Sequence, residues 1–310
     1  MMPLYTRMRT ILAKIEVTEG TDPVPTGAAN AILCSQITVT PLGGSTADRQ
    51  LAFPSFGAVP KKHVNKFVQV QFDVELAGSG AAGTAPAWGV LARMCSHSEA
   101  ITAATKVVYT PVTSEPETGT IYANESGTLH KLTGARGTMS MVFAADGIPV
   151  MKYTFTGRWT VPAEGSLPSL TTTAWIDPLP IGNVNTPTFT LDAYAAVMEQ
   201  LQIDQANTVV HRDRPNAEYV AITDRLATGT LQIEAPALGT KDFFGLAYGD
   251  ATMVAQLIHG TAAGNIIQLD VPKLQMLQPA YQDVNGIRHL TAQLTLNRTA
   301  GDDEYTLTVK

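Results

Sequence analysis

The chain has 310 residues, 45% of them hydrophobic and only 15% charged, with a formal net charge of −6. That length accommodates two ordinary domains or one large all-β domain, and the apolar share is ample for a core. The acidic balance excludes a general grip on phosphate backbones, and a surface this poor in charge fits a subunit whose outer faces are covered by neighbours.

Residues 1–30 read as an arm. Their later part, "VTEGTDPVPTGA", is rich in Gly, Pro and Thr and is expected to order only against neighbours. The start carries a few positive charges but no long apolar run, so it does not read as a signal peptide. No stretch approaches the ~20 apolar residues of a membrane-spanning helix. Synthesis in a cytoplasm-like compartment, without a membrane partner, is the expectation.

From Ile32 onward short runs rich in Val, Ile, Thr and Tyr are broken by Gly, Pro, Asn and Asp, the rhythm of an all-β protein. "ILCSQITVT" is the first such run. "FVQVQFDVEL" (67–76) alternates almost without a slip. Val68, Val70, Phe72, Val74 and Leu76 take one face, and Gln69, Gln71, Asp73 and Glu75 the other. "MKYTFTGRW", "EQLQID", "GTLQIE", "HLTAQLTLN" and the closing "EYTLTV" follow the same habit. Two stretches, "PAWGVLARMCSH" (86–97) and "KDFFGLAYG" (241–249), have helical spacing instead, the first with a proline suited to an opening turn.

The landmarks recur in order. "ITVT" at Ile37 matches "LQID" at Leu201, and Asp48-Arg49 matches Asp213-Arg214, an offset of 213 − 48 = 165. "FDVE" ending at Glu75 matches "LQIE" ending at Glu234, offset 234 − 75 = 159. Trp88-Gly89-Val90 matches Phe244-Gly245-Leu246, offset 244 − 88 = 156, and Gly147 matches Gly286, offset 286 − 147 = 139. The shrinking offset means shorter loops in a second copy of one unit. Asp146-Gly147 and Asn285-Gly286 each adjoin an alternating strand and signal a hairpin. The division that results is an arm (1–30), a first unit (31–159), a Pro/Thr/Gly-rich connector (160–188) and a second unit (189–310).

No residue set points to catalysis, a cofactor or a metal. "GSGAAG" (78–83) fits the dinucleotide fingerprint, but the strand before it alternates, whereas a parallel strand buried on both faces would be continuously apolar. It reads as a flexible loop. The six histidines have no ligand spacing, and Cys34 and Cys95 read as small buried or half-buried residues. Asp302-Asp303-Glu304 reads as a solvated turn, and Lys61-Lys62-His63 as a loop touching an acidic neighbour. No serine sits in a nucleophile elbow, so an enzyme is not expected.

Five segments carry a family resemblance. "YTRMRTILAKIEVTEGTDPVPTGAANAIL" (5–33) resembles the amino-terminal segment of tail tube proteins of long, non-contractile-tailed bacteriophages. "NTVVHRDR" (207–214) with "AITDRLATGTLQIEAP" (221–236) is similar to that family's paired strand and loop. "DGIPVMKYTFTGRW" and "DVNGIRHLTAQLTLNR" resemble its terminal hairpin. The resemblance implies a mainly β fold, here two tandem tube-type β-sandwich or barrel domains, each with a short flanking helix. It implies a structural virion protein, made in the host cytoplasm, whose copies close stacked rings around a channel that conducts viral DNA without binding it specifically. A homotrimer forming a pseudo-hexameric ring is favoured over a homohexamer, since 3 × 2 = 6 units. The expected partners are the chain itself and the tape measure, tail terminator and distal tail proteins.

A channel that lets DNA slide needs a polar, net negative wall, because Lys or Arg contacts to phosphate would hold it. The candidate lining residues are Gln69, Gln71, Asp73 and Glu75 in the first unit, and Thr230, Gln232 and Glu234 in the second. The alternative, a secreted β-sandwich binding carbohydrate or a receptor, would need clustered exposed aromatics, whereas the 7% aromatic residues are spread among strands.

Overall fold

The structure is a computed structural model that describes residues 4–114 and 116–310. In the first half β1 (Arg9–Ile15), β2 (Ala31–Ile32), β3 (Ser35–Ala47) and β4 (Lys62–Glu75) precede the helix α1 (Gly89–Met94). β5 (His97–Thr102) and β6 (Lys106–Pro111) form a hairpin, followed by β7 (Gly119–Glu125), β8 (Thr128–Ala144) and β9 (Val150–Trp159). The short β10 (Ala163–Glu164) lies in the connector. The second half holds β11 (Thr188–Leu191), β12 (Tyr194–Ala195), β13 (Met198–Asp204), the hairpin β14 (Asn207–Arg214) and β15 (Ala217–Arg225), and β16 (Thr228–Glu234). After the helix α2 (Phe243–Tyr248) come β17 (Thr252–His259), β18 (Ile267–Val284), β19 (Ile287–Leu296) and β20 (Thr306–Val309).

Every strand pair is antiparallel, and one strand order occurs twice. The first half runs β1-β7-β8-β9-β4-β3. The second runs β11-β17-β18-β19-β16-β13. Cross-strand register matches as well: Glu75 pairs with Val150 and Glu234 with His289, offsets of 234 − 75 = 159 and 289 − 150 = 139. These are the offsets at which the sequence landmarks recur.

Each half folds into two layers because one long strand turns a corner. β8 pairs with β7 through Thr128–Ala135 and with β9 through Leu132–Val142. Its register shifts between Thr133 and Arg136, where Gly134 has φ +58°, a bend that a Cβ would strain. β18 does the same, pairing with β17 up to Gln275 and with β19 from Leu274 onward. The alternating strands send their apolar sides between the layers. Val68, Val70, Phe72 and Val74 of β4 are buried there, and the Phe72 and Tyr153 rings flank Phe155 at 5.8 and 5.6 Å. Burying each such aromatic stabilises the fold by roughly 1.5–3 kcal/mol.

The helices plug the sandwich. Trp88, at the start of α1, donates from Nε1 to the Ala77 carbonyl at 2.8 Å and packs on Tyr109 at 5.0 Å. α2 is capped by the Asp242 carboxylate, which accepts from the Gly245 N–H at 2.8 Å. Part of the segment read as an arm belongs to the sheet. β1 lies along β7 with Ile11, Leu12 and Ala13 buried, and the buried Glu16 carboxylate accepts from Thr118, Thr120 and the Gly134 N–H.

The halves share both layers. β8 pairs with β13 through Ser140–Ala144 and Gln200–Asp204, so β3-β4-β9-β8-β13-β16-β19-β18 is one uninterrupted sheet. In the other layer β20 lies between β18 and β6. Across that joint the buried His97 Nε2 meets the Tyr305 hydroxyl at 2.8 Å.

Candidate functional site

The outer face of the eight-stranded sheet is largely polar, interrupted near the joint by Val142, Ala144 and Val150. One cross-strand row reads Ser35, Asp73, Lys152, Ser140, Asp204, Thr228, Thr295 and Gln275. A second reads Glu75, Val150, Val142, Gln202, Thr230 and Gln293. Gln232 lies between Gln200 and Thr291, and Glu234 beside His289. Period-2 side-chain direction produces this face: Leu231 and Ile233 point inward and are buried, while Thr230 and Glu234 are exposed.

All seven residues singled out in the sequence lie on this one face. Gln69, Gln71, Asp73 and Glu75 come from β4, and Thr230, Gln232 and Glu234 from β16, with β9, β8 and β13 between the two groups. The joint supplies further polar residues: Thr154, Thr138, Ser140, Gln200, Gln202 and Asp204. "EQLQID" and "MKYTFTGRW" carry their alternation openly, but nothing local says which strands they meet. Lys152, exposed and directly across from Asp73, adds a positive charge to a face otherwise rich in carboxylates and amides.

One end of the face is covered in the first half and open in the second. The chain leaves β13 at Ala206, which has φ +51°, and swings the β14–β15 hairpin over the first half. Gln205 Nε2 donates to the Cys95 carbonyl at 2.6 Å, and Asn207 Nδ2 donates to the Cys95 and Gly137 carbonyls at 3.1 and 3.0 Å. His211 packs on Phe67 at 5.9 Å and its Nδ1 lies 3.0 Å from Asn65 Oδ1. The Arg136 guanidinium donates to the Val220 carbonyl and pairs with Glu19 at 3.2 Å.

Other motifs have structural work. In "GSGAAG" the Gly78 N–H donates to Asn265 Oδ1 at 2.8 Å and the Gly80 N–H to the Gly264 carbonyl at 3.0 Å, and a Cβ on Gly78 would collide with Gly264. Asp302 and Glu304, read as part of a solvated turn, both pair with the half-buried Arg225 at 2.7 and 3.0 Å. Asp303 accepts the N–H groups of Thr299 and Ala300, which hold its carboxyl below the usual range. Lys61 pairs with Asp48 of its own loop at 3.0 Å. Burial pushes the Cys34 thiol up to about 12 and His97 down to about 4, leaving both neutral at pH 7. Among the described residues no group of three His, Cys, Asp or Glu could hold a metal, and no helix is long and apolar enough to cross a membrane.

The site is thus an extended, largely polar sheet face shared by both halves of the chain. No curated protein matches the chain. A family model described as phage tail tube protein matches residues 6–302, nearly the whole sequence, and the chain belongs to the phage tail tube protein family.

Proposed function

We propose that three copies of this chain close a ring whose inner wall is the polar face of the eight-stranded sheet, and that stacked rings conduct the viral genome. Family membership makes the chain a structural subunit of the tail tube, part of the virion tail, that assembles with copies of itself and with other tail proteins. The two units of the proposal are residues 31–159 and 189–310, linked by 160–188, with 1–30 as an arm whose β1 is seated in the first unit's own sheet.

The observation that carries the reading is the β8–β13 pairing. Its counterparts, β18 and β3, are the outer edges of the same sheet. By the repeat, Ser140 corresponds to Ala280 and Asp204 to Thr40, so the internal register Ser140↔Asp204 becomes Ala280↔Thr40 between chains. Met141 and Ile203 at the internal joint are 1% exposed, whereas Tyr281 at the corresponding edge is 48% exposed. Joining the edges covers it and removes two unpaired strand edges per chain.

Curvature and width agree with three copies. The row through Glu75 crosses β16 at Thr230, four residues short of the equivalent Glu234 (234 − 230 = 4), after four strands. One residue of stagger per strand, at about 3.3 Å rise and 4.8 Å spacing, gives a tilt of about 35°, within the range of closed barrels. Three chains supply 3 × 8 = 24 strands and a backbone diameter of about 45 Å, and six chains about 90 Å. The first leaves a lumen that passes a DNA duplex once side chains are in place, while the second is far wider than a duplex requires.

Its wall of amides, hydroxyls and carboxylates is built to stay hydrated and to repel phosphate. Native mass spectrometry of isolated rings tests the count: three chains of 33.0 kDa are expected at 3 × 33.0 = 99 kDa. A ring of twice that mass, or a protein that stays monomeric at all concentrations, overturns the proposal.

A further inference from the structure

We infer that the loop at residues 48–61 of one copy docks into the open groove between residues 222–228 and 295–298 of its ring neighbour. The inference rests on the ring reading above and adds a second, separately testable contact to it.

The chain contains a version of this contact already. The β14–β15 hairpin of the second unit lies on the first unit, with His211 on Asn65 and Phe67, and Phe67 pairs across the sheet with Arg158 at the end of the polar face. At offsets of 159 and 139 those three correspond to Asp224, Leu226 and Asn297 (65 + 159, 67 + 159, 158 + 139). Among the described residues no hairpin lies over this second place. Leu226 is 69% exposed where Phe67 is packed under His211, and the residues around it line a groove of about 600 Å³.

The counterpart of the hairpin is the β3–β4 arm. In the ring it would belong to the neighbour whose β3 pairs with β18, just as the unit that donates the hairpin also donates β13. From Asp48 to Glu75 this arm spans 75 − 48 = 27 positions, against 234 − 213 = 21 from Asp213 to Glu234. The extra six positions lie in "LAFPSFG", whose Leu51, Phe53 and Phe56 are all exposed, Phe56 completely. Three large apolar side chains on one loop tip are a liability on a free monomer and an anchor in an assembly. The groove offers Leu226 and Leu296 as apolar lining, with Arg225, held by the Val112 carbonyl and Glu304, closing one wall.

Benzoylphenylalanine in place of Phe56, in the full-length protein assembled from isotopically mixed chains, reads the contact directly. The expected result is light-driven crosslinking between chains, onto peptides containing residues 222–228 or 295–298. Leu226→Glu in the receiving chain is expected to lower that yield by about tenfold or more while rings still form. Trimeric rings whose crosslinks map elsewhere, or whose yield ignores Leu226→Glu, overturn this inference and leave the ring reading standing. Absence of rings before any crosslinking overturns both.

Discussion

Reversing the charge of the wall tests whether this face sees DNA. The perturbation is the triple replacement Asp73→Lys, Glu75→Lys and Glu234→Lys. All three side chains are exposed or half-exposed and form no ion pair among the described residues, so the fold loses little. The one local cost is a lysine at position 73 directly across from Lys152, a like-charge cross-strand pair of roughly 0.2–1 kcal/mol. Electrostatically the change is large: 3 × 2 = 6 charges per chain and 3 × 6 = 18 per ring of three. Each phosphate neutralised contributes about −0.9 to the slope of log affinity against log salt. If six to ten phosphates are engaged, affinity falls about 10³–10⁵-fold between 50 and 200 mM salt. The assay is retention of a short duplex by assembled tubes across a salt series, with genome release from reconstituted particles as the functional readout. Variant tubes are expected to hold the duplex steeply at low salt and to slow release, and unmodified tubes to do neither. Variant tubes that form normally, retain no more duplex and release the genome at the usual rate would refute the placement of this face on the channel.

Two further perturbations probe the joints. His97 is buried against Tyr305 and has a folded pKa of about 4 against 6.5 when unfolded, so the unfolded chain takes up its proton first as pH falls. The shift is thus a loss of stability that begins below pH 6.5 and is complete near pH 4, worth about 3 kcal/mol at about 1.4 kcal/mol per unit. A urea midpoint that falls over this window in the parent and is flatter in His97→Gln is expected, and equal slopes would show that other groups govern acid sensitivity. Deleting residues 1–30 removes β1 with the buried Ile11 and Leu12, each worth roughly 1.5–3 kcal/mol, and the Glu16 hydrogen bonds. The truncated chain is expected to be poorly soluble or to melt well below the parent, and a melting temperature within a degree or two of the parent would contradict the structural role of β1.

Much of this architecture was legible locally. Strict alternation marked β4 and β16 and their wet faces, Asp146-Gly147 and Asn285-Gly286 marked the turns before β9 and β19, and apolar spacing marked both helices. These signals are local because side-chain direction and turn chemistry depend on neighbours in sequence. What stayed hidden depends on distant partners. Ser140 and Asp204 are 64 positions apart (204 − 140), and no short-range rule says that they meet. β1 was concealed by its setting, a seven-residue strand followed at once by a Gly- and Pro-rich stretch that reads as an arm. Gln205 and Asn207 look like ordinary strand residues, yet they hold the bend that lifts the β14–β15 hairpin off the sheet.

The internal joint between β8 and β13 also bears on how a tube is built. Each encounter between separate molecules costs an estimated 4–15 kcal/mol in lost translational and rotational freedom. In a ring of six units made from single-unit chains, six such joints must be found by diffusion. In the proposed ring of three chains, three of the six would form when each chain folds, at the effective concentration set by its own connector. Ring closure then becomes a three-body problem, and partly closed arcs have fewer ways to stall. Fusion also frees the two units from having to be identical. In the proposed ring, one can keep a short hairpin for its own chain while the other carries a longer apolar loop for the next, so that a ring would grow in a single rotational sense.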